Sequence, residues 1–279
     1  MTVLVTGSRG KVATTLIALL HEAGIAVRAA SASPEKLSPP PEVATVKCAL
    51  DDPADFPAAL DSIDSVFLYA EPAQIGAFLA AAENAGVQHI VLLSSSSVLD
   101  PGAADNPVAA SHLTVEQALA DAAVQTTVLQ PGAFAGNALQ WRWALASTGG
   151  IDLPYPDSHG DPIDERDIAE AALAVLTQPW LRGASYHLTG PESLTFAEQI
   201  AILEDATGRP MPFNAVTREG WKESVRAYLP DAFAEGLLDY WASTDGSPVP
   251  LTRTVEELVG RPARMFAEWA RENAAAFQA

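Results

Sequence analysis

Residues 110–119, ASHLTVEQAL, place His112 and Glu116 four positions apart, one turn along a segment with helical character. Just ahead of them, Ser94 to Ser97 form a run of four serines ending the β-rich stretch HIVLLSS (89–95). An imidazole whose ordinary pKa is about 6.5 can pass a proton near neutral pH. A carboxylate one turn away can orient it or raise its pKa. Hydroxyls at the carboxyl end of a strand can bind a ligand oxygen, so His112, Glu116, Ser95 and Ser96 form the candidate catalytic set, with Ser94 a candidate cofactor-binding residue. His112 shares a stripe with Val108, Val115 and Leu119, the side expected to face protein. The same placement also suits an inert histidine at the edge of a core.

Such a cluster needs a scaffold, and the first half of the chain supplies an alternating one. The runs 2–6, 25–31, 65–70, 89–95 and 126–132 read as strands; 11–23, 72–84 and a segment opening at Asn106-Pro107 read as helices. Asn106 is placed to cap that last helix, with Pro107 in its first turn. Strand–helix alternation of this kind predicts an α/β fold of Rossmann type, a doubly wound parallel sheet with helices on both faces. The second half carries a helix at 166–176, a strand at 185–190 and amphipathic helices within 221–243. Thr195 with Glu198, and Thr254 with Glu257, have the spacing of capping boxes. These features divide the chain into a nucleotide-binding domain (1–150) and a smaller, partly interleaved α/β substrate region (151–279).

The turn VTGSRGKVAT (5–14) sits at the first strand–helix junction, with Gly7, Gly10 and Ala13 in a G-x-x-G-x-x-A pattern. Positions without a Cβ let backbone approach a pyrophosphate, whose charge then meets the helix N-terminus. Thr6, Gly7, Ser8, Arg9, Gly10, Lys11 and Val12 are therefore the predicted dinucleotide cradle. NAD sites usually place an acidic residue after the second strand, but residues 23–34 contain none. Arg9 in the turn, with Ser31, Ser33 and Lys36 beyond the strand, suits a 2′-phosphate, so NADP is expected and NAD remains possible. Tyr69, Ala70 and Glu71, ending the 65–70 run, are expected to pass under the nicotinamide ribose.

In order along the chain, TGSRGKVA, LLSSSSV, VLQPGAF, DIAEAALAVL and YHLTGPESLTFAEQIAIL resemble the NmrA-like branch of atypical short-chain dehydrogenases. That resemblance implies a Rossmann fold, an NAD(P) cofactor, and Pro131, Gly132 and Phe134 as walls of the nicotinamide pocket. It also exposes departures. Ala32 stands where the family commonly has an arginine after the second strand, and Ala49 where its third strand usually ends in aspartate. His112 and Glu116 occupy the spacing at which ordinary short-chain dehydrogenases carry a catalytic Tyr and Lys, so carbonyl-reductase machinery is missing. Quinone-reducing members carry a similar His-x-x-x-Glu. The expected activity is an NADP(H)-dependent reductase of a planar, apolar acceptor such as a quinone or conjugated imine, with Trp141 or Trp143 lining its pocket. The alternative is a non-catalytic dinucleotide sensor docking on a partner protein.

A formal charge of −19 over 279 residues excludes an overall nucleic-acid or anionic-membrane surface, and no window is long and apolar enough for a membrane helix. Cys48 is the single cysteine, which excludes an intrachain disulfide, and the histidines show no metal-ligand spacing. A cytoplasmic protein acting on a small apolar or aromatic molecule is the expectation, with pairing into a homodimer through exposed helices possible on such folds.

Overall fold

Residues 1–278 are described by the computed structural model. In chain order the elements are β1 (Thr2–Val5), α1 (Lys11–Glu22), β2 (Ala26–Ser31), β3 (Ala44–Lys47), α2 (Phe56–Leu60), β4 (Ser65–Tyr69), α3 (Ile75–Ala85) and β5 (His89–Leu93). They continue as α4 (Pro107–Ala120), β6 (Gln125–Pro131), α5 (Trp141–Thr148), β7 (Ile151–Leu153), β8 (His159–Gly160), α6 (Glu165–Thr177) and β9 (Ser185–Leu188). The remainder is β10 (Leu194–Thr195), α7 (Phe196–Thr207), β11 (Phe213–Ala215), α8 (Arg218–Val225), α9 (Asp231–Ser243), α10 (Thr254–Val259) and α11 (Phe266–Asn273).

Seven strands form one parallel sheet in the order β3-β2-β1-β4-β5-β6-β9. The order reverses at β1, which creates a crevice between the carboxyl ends of β1 and β4. Alternation along β1 shows why helices cover both faces. Val3 and Val5 pack with Leu16 and Leu20 of α1 and Ile168 and Val175 of α6, whereas Leu4 packs with Phe56, Phe78 and Leu119 of α2, α3 and α4. A third apolar cluster, around Trp141, Leu203, Phe266 and Trp269, joins α5, α7 and α11 beyond the carboxyl edge strands.

The chain's second half supplies β9 at the sheet edge and α6 on the α1 face. Ionic contacts reinforce this face. Asp167 of α6 is fully buried and takes Arg261 at 2.7 Å and the Arg264 backbone N–H at 2.7 Å, while Asp164 takes Arg264 Nε at 2.7 Å.

Capping follows the sequence in two of three places. Asn106 Oδ1 accepts from the Val108 and Ala109 amides, and Thr195 with Glu198 forms the reciprocal box. Thr254 and Glu257 do not. α10 starts one residue earlier than that spacing requires, with Thr254 already helical and Arg253 before it bound to Glu256 at 2.9 Å. An ion pair there replaces the hydroxyl cap. Among the short elements, β3 and α2 have no counterpart in the apolar periodicity, nor do β7, β8, β10 and β11. β3 is an edge strand with exposed residues, so burial left no alternating pattern to read.

Candidate active site

Hydroxyls next to the glycines hold the first turn to the sheet. Ser8 Oγ donates to the Val5 carbonyl at 2.7 Å and accepts from the Ala30 amide at 3.0 Å, tying the turn to β2. Thr6 Oγ1 donates to the Phe67 carbonyl at 3.1 Å and accepts from the Tyr69 amide at 2.8 Å, tying it to β4. Gly7 has φ +60°, a conformation L-residues rarely adopt, and a Cβ there would lie 3.2 Å from Tyr69 Cβ. Gly10 precedes α1 with no side-chain cap, so the first helical N–H groups stay available to an anion.

The crevice above this turn is a cleft of about 570 Å³, lined by Thr6, Gly7, Arg9, Gly10, Lys11, Val12, Ala13, Ser31, Ala32, Phe67, Tyr69, Glu71, Leu93 and Phe134. A capless helix start, a glycine at positive φ and two cations without ion pairs among the described residues fit a dinucleotide pyrophosphate. Four more residues line the cleft that sequence reasoning did not place there as binding groups: Cys48, Ala49, Leu50 and Asp51. They follow β3, and the rule that ligands gather at the carboxyl ends of strands is the signal that finds them. Burial pushes the Cys48 thiol up to about 12, which leaves it an unreactive apolar surface.

Several expected cradle residues have other work. The Ser8 hydroxyl is spent on the backbone as above, and Ser31 Oγ accepts the Ser33 amide at 3.1 Å. Ser33 and Lys36 do not line the cleft; Lys36 is exposed on the one-turn segment Pro34–Lys36, which carries the chain away from it. Arg9 and Lys11, both exposed, are left as the cations that line the cleft with Ser31. Ala70 is half-buried after β4, and Glu71 Oε1 accepts the Ala73 amide at 3.0 Å. Pro131 is buried in the sheet, paired with Leu188, and Gly132 donates its N–H to the Leu188 carbonyl at 2.9 Å. Phe134 alone of that trio lines the cleft.

His112 and Glu116 make no hydrogen bond to each other among the described residues, and Glu116 acts on the imidazole only through its charge. Glu116 accepts the Ser94 hydroxyl in a short hydrogen bond and takes Gln130 Nε2 at 3.1 Å on each oxygen. Its carboxylate thus bolts α4 to the ends of β5 and β6, which corrects its expected role of orienting the imidazole. His112 Nδ1 is buried without a hydrogen-bond partner. Burial lowers the His112 pKa more than the nearby Glu116 charge raises it, so the ring is neutral at neutral pH. Ser95 Oγ accepts from Ser97 N at 3.2 Å and bonds Ser97 Oγ at 2.9 Å, opening the turn Ser96–Leu99. Ser96 is half-buried and makes no side-chain hydrogen bond among the described residues. Of the tryptophans, Trp141 is buried edge-on against Phe196 and Trp143 is 67% exposed beneath Arg142; neither lines the cleft.

Sequence reasoning also missed Asp161. It is 5% exposed, and its Oδ1 accepts the Ala133 amide at 3.0 Å. A Cβ at position 132 would overlap its carboxylate, so Gly132 makes the room that Asp161 fills. Burial pushes its pKa up to about 6 against the two backbone hydrogen bonds it accepts. Tyr240 of α9 is close enough for the Asp161 and Asp100 charges to add to the effect of burial in raising its phenol.

With this geometry in view, the relatives are informative. Residues 7–179 match the NAD(P)H-binding family. The chain is 35% identical, over 99% of both sequences, to the (4-alkanoyl-5-oxo-2,5-dihydrofuran-3-yl)methyl phosphate reductase of Streptomyces griseus. It is 32% identical, again over 99% of both, to the NAD(P)H azoreductase of Xenophilus azovorans. In fold it is similar to an NADPH-dependent quinone oxidoreductase from Escherichia coli solved with NADPH, with a TM-score of 0.81, 21% identity, and 97% and 99% of the two chains covered. By the residues matched and by likeness along its whole length to reductases, the chain belongs to the NAD(P)H-binding family of oxidoreductases.

Proposed function

We propose that this protein uses NADPH to reduce a planar, electron-poor conjugated acceptor. One observation carries the reading: the position of the usual Tyr–Lys pair holds a neutral His112 and a Glu116 locked to Ser94 and Gln130. Such a site lacks the strong proton donor that an isolated ketone requires. An acceptor whose conjugation spreads the incoming charge does not need it. The two relatives above 30% identity are named for substrates of this electronic type, an alkanoyl dihydrofuranone and an azo compound.

The bound nicotinamide supplies a hydride. The chain's own residues bind and orient it. The free N–H groups of α1 and the Gly7–Gly10 backbone would hold the pyrophosphate, and Arg9 with Ser31 would meet a 2′-phosphate. Tyr69 and Phe134 line the cleft and would pack against the ribose and the nicotinamide end of the cofactor. Holding donor and acceptor together in a partly closed crevice is the main catalytic contribution. Both relatives are reductases by name, and the non-catalytic sensor is not the reading they favour.

Steady-state oxidation of NADPH with para-quinones, azo compounds and alkanoyl dihydrofuranones tests this. Turnover with at least one class is expected, along with a lower KM for NADPH than for NADH that Arg9→Ala erodes about tenfold. Absence of turnover with every class overturns the reading.

A further inference from the structure

We propose that the hollow between α5 and the segment after α7 is a second ligand site, which takes a small organic oxyanion: a carboxylate or phosphate group carried on an apolar body. The site is separate from the cofactor cleft and does not depend on which acceptor is reduced.

Three parts of the chain build it. Arg142, Leu145 and Gly149 stand at positions i, i+3 and i+7 and so share one face of α5. Gly208, left-handed at φ +66°, ends α7, and residues 209–212 then run past that α5 face before β11 pairs with β7. Phe277, from the turn that follows α11, supplies the third side. Together they bound about 250 Å³, and none of the lining residues also lines the cofactor cleft.

The hollow has an apolar floor and a cationic rim. Met211 and Phe277 are buried, and Leu145 packs against the apolar cluster around Trp141 and Leu203. On the rim, the Arg142 guanidinium lies 4.9 Å from the centroid of the Trp143 ring, and Arg209 Nη1 donates to the Phe277 carbonyl at 3.2 Å. Neutral groups thus hold both guanidiniums, and neither forms an ion pair among the described residues. The nearby Glu204 carboxylate is turned to the Met211 amide, 2.6 Å from Oε1.

That arrangement is unusual for this chain. With 35 acidic residues against 16 basic ones, carboxylates are in excess. Arg166, Arg218, Arg226, Arg253, Arg261 and Arg264 each have one, while Arg28 and Arg182 are bound to backbone carbonyls. Two arginines without carboxylates in one hollow make a local positive field on a negative molecule. Their planar forks of N–H donors match the oxygens of a carboxylate or phosphate. The floor beneath them accepts the apolar body, which a hollow of about 250 Å³ limits to roughly one ring.

Calorimetric titration of the NADPH-saturated protein tests the assignment, because bound cofactor occupies the cations of the cleft. Phenyl phosphate and benzoate are the probes, inorganic phosphate tests the charge alone, and benzyl alcohol tests the apolar body alone. One equivalent of phenyl phosphate or benzoate should bind, inorganic phosphate at least about tenfold more weakly, and benzyl alcohol not at all. Arg142→Gln and Arg209→Gln keep much of each stem and remove its charge. Each should weaken binding by about tenfold or more, as the loss of a charge-assisted hydrogen bond requires, with the Kd for NADPH unchanged. Lys36→Gln, which removes an exposed cation outside both cavities, should leave probe binding as it was. No binding of either probe overturns the proposal, as does binding that both arginine variants retain or that Lys36→Gln weakens equally. Inorganic phosphate bound as tightly as phenyl phosphate overturns the organic body. Binding that arises only after residue 279 is removed would give the guanidiniums to the chain's own terminal carboxylate and overturn the site.

Discussion

Glu116 shows how a residue with catalytic spacing can be consumed by architecture. Its two oxygens satisfy Ser94 and Gln130, both buried, at the junction of α4, β5 and β6. Truncation leaves a hydroxyl and an amide unpaired in the interior, at a cost of roughly 1–3 kcal/mol each. Glu116→Ala is therefore expected to lower unfolding stability by about 2–3 kcal/mol in a denaturant melt. Its residual activity should follow the folded fraction. A stable Glu116→Ala with abolished turnover would return the carboxylate to the chemistry. The spacing of His112 and Glu116 was legible from the sequence, but their independence was not. Whether a carboxylate turns toward an imidazole or toward a strand end depends on Gln130, fourteen residues away on β6, and no local pattern carries that.

At the scale of elements, what could be read divides along burial. The central strands and α1, α4 and α6 follow from apolar runs and from caps such as Asn106, because both sheet faces are covered. The exposed edge of β3 imposes no alternation, so only the family resemblance placed its end, at Ala49, and the flanking cleft residues Cys48, Leu50 and Asp51 went unnamed. The serine run had the right strand end but no way to rank its hydroxyls. The structure gives Ser94 to Glu116 and Ser95 to Ser97. β5 carries a further constraint at its start, where His89 is fully buried, bonds Thr127 at 2.8 Å, and has its pKa pushed down to about 4 by burial and then by Arg182. A histidine with a folded pKa below its unfolded 6.5 contributes stability above pH 6.5, and that contribution is lost as pH falls toward 4. His89→Gln cannot be protonated. It should be less stable than the wild type at pH 7.5, and the gap should narrow steadily between pH 6.5 and 4. A gap that widens on acidification would show the ring to be charged in the folded state.

Across the whole molecule, the sheet's reversal at β1 opens one crevice, lined by the ends of β1 to β6, with Arg9 and Lys11 as its cations. The overall charge of −19 makes Arg9 and Lys11 local exceptions, and a dinucleotide is the ligand whose phosphates would meet them. No helix among the described residues is long and apolar enough to cross a membrane. In the proposed reaction, hydride passes within this crevice to a conjugated acceptor. Transfer of label tests it most directly: NADPH deuterated at the nicotinamide C4 position is oxidised in the presence of an alkanoyl dihydrofuranone, and the product is examined by mass spectrometry. One deuterium is expected on the reduced ring carbon, from one face of the nicotinamide. NADPH oxidation that leaves the product unlabelled, or no oxidation by a protein that still binds NADPH, would contradict it.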